Sequence, residues 1–190
     1  MGSDRAEAAA RRLLSAGADA LVSWGSAGGL DPSLNSGSVV VPDRVVDASG
    51  NARASDHEWS ARLRTAAGED LSIVAAALLH CDSPISDPQD KQRFFAETGA
   101  AAVDMESASV ARIADESGVP WIAVRVVVDR ADMVLPALAL SALKEDGRLD
   151  PTIGLRIVAA PSQWRQFWAL ARATRIAGRA MRRLWFAADP

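Results

Sequence analysis

The sequence predicts an α/β domain, on two observations. From 121 to 128 it reads W-I-A-V-R-V-V-V, almost wholly apolar, as expected of a central strand covered on both faces. Just before it, 104–117 reads as a helix stopped by Gly118, and the Gly-Val-Pro turn leads directly into the strand. Elsewhere, further strand-like runs alternate with helical segments.

In chain order, residues 4–16 form an alanine- and arginine-rich helix that ends at Gly17. Residues 19–24 read as a strand, followed by a glycine loop, Gly25-Ser26-Ala27-Gly28-Gly29-Leu30. Amides in such a loop can approach an anion or a purine edge because no Cβ intervenes, although a tight turn would use the same residues. The β-branched run 39–46 predicts a strand, with Pro42 indicating an edge or a bulge. A polar loop to Asp56, a helix over about 58–67 and a strand-like run over 71–80 follow. A short helix over 87–97 carries Lys91, read as solvated. Beyond Asp132 come a helix at about 136–144, the segment E-D-G-R-L-D-P, and a long helix from about 162 to 185. On its wheel Phe167, Leu170, Ala171, Thr174, Ala177, Met181, Leu184 and Trp185 share an apolar arc predicted to face the core. Arg165, Arg172, Arg175, Arg179, Arg182 and Arg183 occupy the opposite arc, with Trp164 and Trp168 beside them.

At 190 residues and 49% hydrophobic, the chain suits one globular domain over 1–190 with a basic C-terminal helix at about 162–186. A single cysteine, Cys81, rules out an internal disulfide and fits a reducing, cytoplasmic setting. No apolar run is long enough to span a bilayer, and no signal peptide opens the chain. His57, His80 and Cys81 lack ligand spacing, so no metal is expected. Net charge is −3 but uneven: residues 161–190 carry six arginines against Asp189, a balance of +5 that leaves −8 on the first 160. An acidic body with a basic tail points to an interaction surface on the tail rather than to nucleic-acid binding. Tryptophan among arginines suits a helix lying on the inner membrane face, and stacking of arginine on tryptophan at a folded surface explains it equally well.

Asp104 is placed to cap the helix that follows, its carboxylate accepting from first-turn amides. Glu106 falls in the apolar stripe with Val110, Ile113 and Ser117, where a carboxylate is costly unless paired. Arg125, Val127 and Asp129 alternate onto one side of the strand, and Asp129 stands at its carboxyl end, where open α/β sheets bind ligands. Dipole stabilisation by Glu106 and loop capping by Asp129 are the non-functional alternatives.

V-D-M-E-S-A-S-V-A followed by G-V-P-W-I-A-V-R-V-V-V-D-R-A-D resembles the paired signature of the purine nucleoside phosphorylase and methylthioadenosine/adenosylhomocysteine nucleosidase superfamily. The resemblance implies a three-layer sandwich around a central mixed β-sheet, and a homo-oligomer. It matches Glu106 to the glutamate holding the ribose hydroxyls, Met105 to the methionine packed on the sugar, and Asp129 to the aspartate facing purine N7. Arg125 matches the arginine near the nucleophile, and Ser26, Ala27 and Gly28 the loop lining the purine and nucleophile pocket. In the C-D-S-P-I-S-D segment, Pro84 takes the position of a stacking aromatic, while Ile85 keeps its backbone available to the base. Val128 before Asp129, and the L-K-E-D-G-R-L segment, are similar to the hopanoid-associated phosphorylase branch, whose substrate is adenosylhopane. Family members begin with a strand and a G-L-x-x-E type segment supplying an acidic group. By that resemblance the chain is expected to start at the following helix, without the first strand, which leaves truncation, a misplaced start and lost activity as alternatives.

The implied reaction cleaves an N-glycosidic bond and releases adenine. Asp129 would protonate N7, Glu106 would orient the ribose, and Arg125 with Ser26 would place water or phosphate. No cofactor is implied, with phosphate a candidate co-substrate. The partners expected are an adenosylated small molecule or lipid and, through the tail, a membrane surface. A soluble methylthioadenosine-type nucleosidase and a non-catalytic relic are the competing readings.

Overall fold

The computed structural model describes residues 2–68, 71–136, 138–139 and 160–188. Eight strands form one mixed sheet in the order β4-β3-β6-β7-β1-β8-β2-β5. Its centre is β1 (Leu21–Gly29) paired in parallel with β8 (Trp121–Asp129), the two longest strands. On one wing, β7 (Ala102–Asp104) runs antiparallel to β1, followed by β6 (Leu78–His80), β3 (Arg44–Val46) and β4 (Ala52–Ala54). On the other wing stand β2 (Val39–Val40) and β5 (Ile73–Val74).

The apolar run expected as one strand over 39–46 is therefore two strands on opposite wings, with Pro42 between them. The run over 71–80 divides in the same way, into β5 and β6. This requires the sheet to curl. In a flat sheet the five steps from β2 to β3 would span about 24 Å at about 4.8 Å per strand. The four residues from Val40 to Arg44 reach at most about 14 Å. Short apolar segments can cross only because curling brings the wings together. The strands β4 and β7 lie where the sequence suggested a polar loop and a helix start.

Helices cover both faces. Helices α1 (Ser3–Ser15) and α4 (Ser107–Ser117) lie on one side, where Ala10, Val110, Ala111, Ile113 and Ala114 join Leu21, Ala27, Ala123 and Val127 in the core. On the other side α2 (His57–Ala66) and the long α5 (Trp164–Ala188) cover Val39, Ile122, Val124 and Val126. A third apolar cluster joins Leu30, Leu79, Ala100 and Val103 to Phe94 and Phe95 of α3 (Pro88–Thr98).

Local chemistry sets most helix boundaries. Asp56 caps α2 by accepting from the Trp59 amide at 2.7 Å, and Asp87 caps α3 with Pro88 in its first turn. Gly99 and Gly118 end α3 and α4 in the left-handed conformation, at φ 64° and 68°. Asp104 is not the cap of α4. It ends β7, and its Oδ2 accepts from the Ser107 amide while Glu106 occupies the cap position.

The inner face of α5 differs from the expected arc. Ala173, Ala177, Ala180 and Leu184 are buried, whereas Ala171, Thr174 and Trp185 are exposed. Small alanines let the helix approach β8 closely, so a narrow stripe is covered in place of the broad one. The six arginines of α5 are all exposed, as are Trp164, Trp168 and Phe186. A short 3₁₀ turn, Pro161–Gln163, precedes it. The helix expected at about 136–144 and the E-D-G-R-L-D-P segment lie outside the described residues.

Candidate active site

The parallel register of β1 and β8 aligns Gly25 with Arg125. A bulge at Val128 then brings Asp129 opposite Gly28. Residues 25–29 are thus not a loop: they complete β1, and the glycines serve as clearance. A Cβ at Gly25 would stand 2.6 Å from Arg125 Nη1, and one at Gly28 would stand 3.1 Å from Asp129 Oδ2. Two charged side chains of β8 therefore lie across a neighbouring backbone that carries none of its own at those points.

Arg125 is 1% exposed and directs its donors inward. Its Nε donates to Asp104 Oδ2 at 2.6 Å, Nη2 to Ser23 Oγ at 2.8 Å, and Nη1 to the Ser23 carbonyl at 3.3 Å. Asp104 Oδ2 also accepts from Ser107 Oγ at 2.6 Å. Burial acts to raise the Asp104 pKa, but the Arg125 charge and these hydrogen bonds outweigh it and hold the group below its ordinary value. Glu106 Oε2 stands 3.8 Å from Arg125 Nη2 and keeps a quarter of its side chain exposed. Burial raises its pKa, with Arg125 opposing. Glu106 thus offers an accessible carboxyl steered by a buried cation.

Asp129 is held differently. Its Oδ2 accepts from the Lys91 ammonium at 2.6 Å, and 12% of its side chain remains exposed. Burial raises its pKa and Lys91 opposes the rise. Lys91 is not solvated: it is 0% exposed, because the Asp87 cap and Pro88 start α3 so that this residue points beneath the end of β8. Its sequence signal was compositional. The chain has two lysines against nineteen arginines, and a compact ammonium suits a site too small for a guanidinium.

His80 is a second group that sequence reading set aside. It is buried at the end of β6, with Nδ1 3.7 Å from Asp104 Oδ1. That is beyond hydrogen-bond distance, and neither atom has a hydrogen-bond partner among the described residues, so the contact is electrostatic. Burial would lower the His80 pKa, but Asp104, Asp82 and Glu106 reverse this and raise it. At the surface end Ser3 Oγ lies 3.2 Å from Nε2.

Of the other residues singled out, Met105 is half-buried and its carbonyl accepts from Ser3 Oγ. Ser26 is exposed, Ala27 belongs to the core and Gly28 lies against Asp129. Ile85 packs on the third cluster, while Pro84 is exposed. Cavities of about 410 and 350 Å³ open elsewhere, one between α5 and residues 33–38 and one beside α1 and His80. Neither is lined by Glu106 or Asp129. Among the described residues there is no group of three or more His, Cys, Asp and Glu able to hold a metal, and no helix is long and apolar enough to cross a membrane.

Known proteins resemble this chain in sequence and in fold. The 5'-methylthioadenosine/S-adenosylhomocysteine nucleosidase of Staphylococcus aureus is 27% identical over 132 residues, covering 60% of this chain and 58% of that protein. The chain thus spans little more than half the length of the curated relatives it matches. The Neisseria meningitidis nucleosidase of the same name, solved with methylthio-immucillin-A, superposes with a TM-score of 0.73 at 18% identity over 99% of this chain and 77% of that one. Futalosine hydrolase of Helicobacter pylori gives 0.67 at 18% identity, over 97% and 75%. The structural matches share the fold, and the family model described as the phosphorylase superfamily matches residues 1–145, so by sequence and architecture together the chain belongs to the phosphorylase superfamily.

Proposed function

We propose that this protein cleaves the N-glycosidic bond of an adenosylated substrate. The observation carrying this reading is Asp129, a largely buried carboxyl with one open face at the carboxyl end of the central strand. Cleavage leaves the bonding electron pair on the purine, and a carboxyl that retains its proton can deliver it to N7 as the bond breaks. Glu106, steered by Arg125, accepts from a ribose hydroxyl and favours the sugar as it gains positive charge. The relatives named as nucleosidases support the reaction class.

Water is the nucleophile we favour. Arg125 commits its donors to Asp104 and Ser23, so it is not the anion clamp that phosphate would need. Water adds its oxygen to the sugar C1′ and leaves one proton to solvent, giving free sugar and adenine. Release of adenine from methylthioadenosine and from S-adenosylhomocysteine, with and without phosphate, tests this. Asp129→Asn should slow release about 10²- to 10⁴-fold while the fold survives. Undiminished release by that variant would show that another group is the acid.

One observation favours a lipid-linked substrate such as adenosylhopane over a soluble one. The outer face of α5 exposes six arginines together with Trp164, Trp168 and Phe186, a combination suited to an anionic membrane surface. The V-V-V-D variant at 126–129 and the L-K-E-D-G-R-L segment agree with that branch.

A further inference from the structure

Lys91 is the only buried residue of α3, and burying an ammonium is costly unless each of its protons finds an acceptor. Three acceptors surround it: Asp129 Oδ2 at 2.6 Å, the Arg130 carbonyl at 2.8 Å and the Met133 carbonyl at 3.5 Å. One cation therefore ties the acidic side chain at the end of β8 to the backbone that follows it.

We propose that Lys91 is the positioning residue of Asp129: it occupies Oδ2, turns Oδ1 to the ligand, and fixes the 130–133 turn beside the base. The proposal rests on the reading of Asp129 as the acid. Three features of the surroundings support it. Gly28 leaves room for the carboxylate on the β1 side, and a Cβ there would press on Oδ2 from 3.1 Å. Val103 of β7, beside the same point, carries no charge. The nearby Arg130 guanidinium is occupied by Asp132, with Nε 2.9 Å from Oδ1. Among the charged groups of the described residues around Asp129, Lys91 is thus the one bonded to it.

The physical consequence is a balance. Desolvation favours the protonated form of Asp129, and the ammonium counters that tendency. A general acid works best when its proton is held near the operating pH, so the cation lets Asp129 both donate and recover its proton each turnover. A lysine with a merely structural role would affect stability but not this balance.

The test compares wild type with Lys91→Met and Lys91→Gln, using carbon-13 carboxyl NMR of Asp129 and the pH profile of adenine release. Loss of the ammonium should move the Asp129 titration to higher pH and carry the falling alkaline limb of activity with it. An unmoved titration, or a rate reduced by one factor at every pH, would overturn the proposal. The NMR arm does not depend on turnover. If wild type releases no adenine from any adenosylated compound, the nucleosidase reading fails, while a moved titration still establishes the coupling. Should neither variant fold, the wild-type protein decides by nitrogen-15 NMR. A slowly exchanging Lys91 ammonium whose shift follows the Asp129 titration supports the proposal, and one indifferent to it overturns it.

Discussion

Gly25→Ala should destabilise the protein severely for a change of one methyl group. The new Cβ would lie 2.6 Å from Arg125 Nη1 and 3.3 Å from its Cζ. The guanidinium cannot step aside, because Nε is fixed on Asp104 and Nη2 on Ser23, all within the buried interior. Overpacking a core in this way costs about 1–3 kcal/mol. Loosening even one hydrogen bond to a charged group adds about 1.5–3 kcal/mol. The expected loss is therefore about 2.5–6 kcal/mol, the sum of those two ranges. Urea unfolding measures it, provided the slope with denaturant stays constant. Gly178→Ala provides the contrast, since among the described residues no atom beyond its chain neighbours and the surrounding helix backbone lies within 4 Å of its added Cβ in α5. It should stabilise by up to about 1 kcal/mol through helix propensity. A Gly25 variant within about 0.5 kcal/mol of wild type, the range of an ordinary surface change, would refute the claim that Gly25 exists to clear Arg125.

Two further outcomes are expected. His80 has a folded-state pKa raised above its unfolded value of about 6.5. Its stabilising contribution is therefore complete below that pH and disappears as pH rises through the folded value. The melting temperature of wild type relative to His80→Gln should be most favourable below about pH 6.5 and lose that advantage as pH rises, and a gap that widens with pH would contradict this. On α5, changing Arg172, Arg175, Arg179 and Arg182 to Gln should abolish sedimentation with anionic vesicles, since basic residues at such a surface contribute about 1 kcal/mol each. Equal binding by both proteins, or binding indifferent to anionic lipid, would leave α5 an ordinary structural helix.

Local signals in the chain were enough to place several features. Asp56 and Asp87 lie before their helices and cap them, Gly118 ends α4 in a left-handed turn, and the 121–128 run became the central strand. In each case the determinant is a residue and its near neighbours in sequence. Glu106 and Arg125, both singled out in the paired signature, lie 3.8 Å apart in the structure.

Tertiary structure decided the rest. An apolar run states that a segment is buried but not which strand it meets, so 39–46 and 71–80 could not announce that each divides between two wings of a curled sheet. Lysine on a polar helix reads as solvated until the end of another strand delivers a carboxylate and two carbonyls to it, as Asp129, Arg130 and Met133 do for Lys91. The glycines of β1 look like a turn because their purpose lies in the side chains of β8, about a hundred residues away in sequence. The sequence determined where charge and apolar surface occur along the chain. Folding decided which charges meet, because pairing depends on distances that only the packed sheet brings into being.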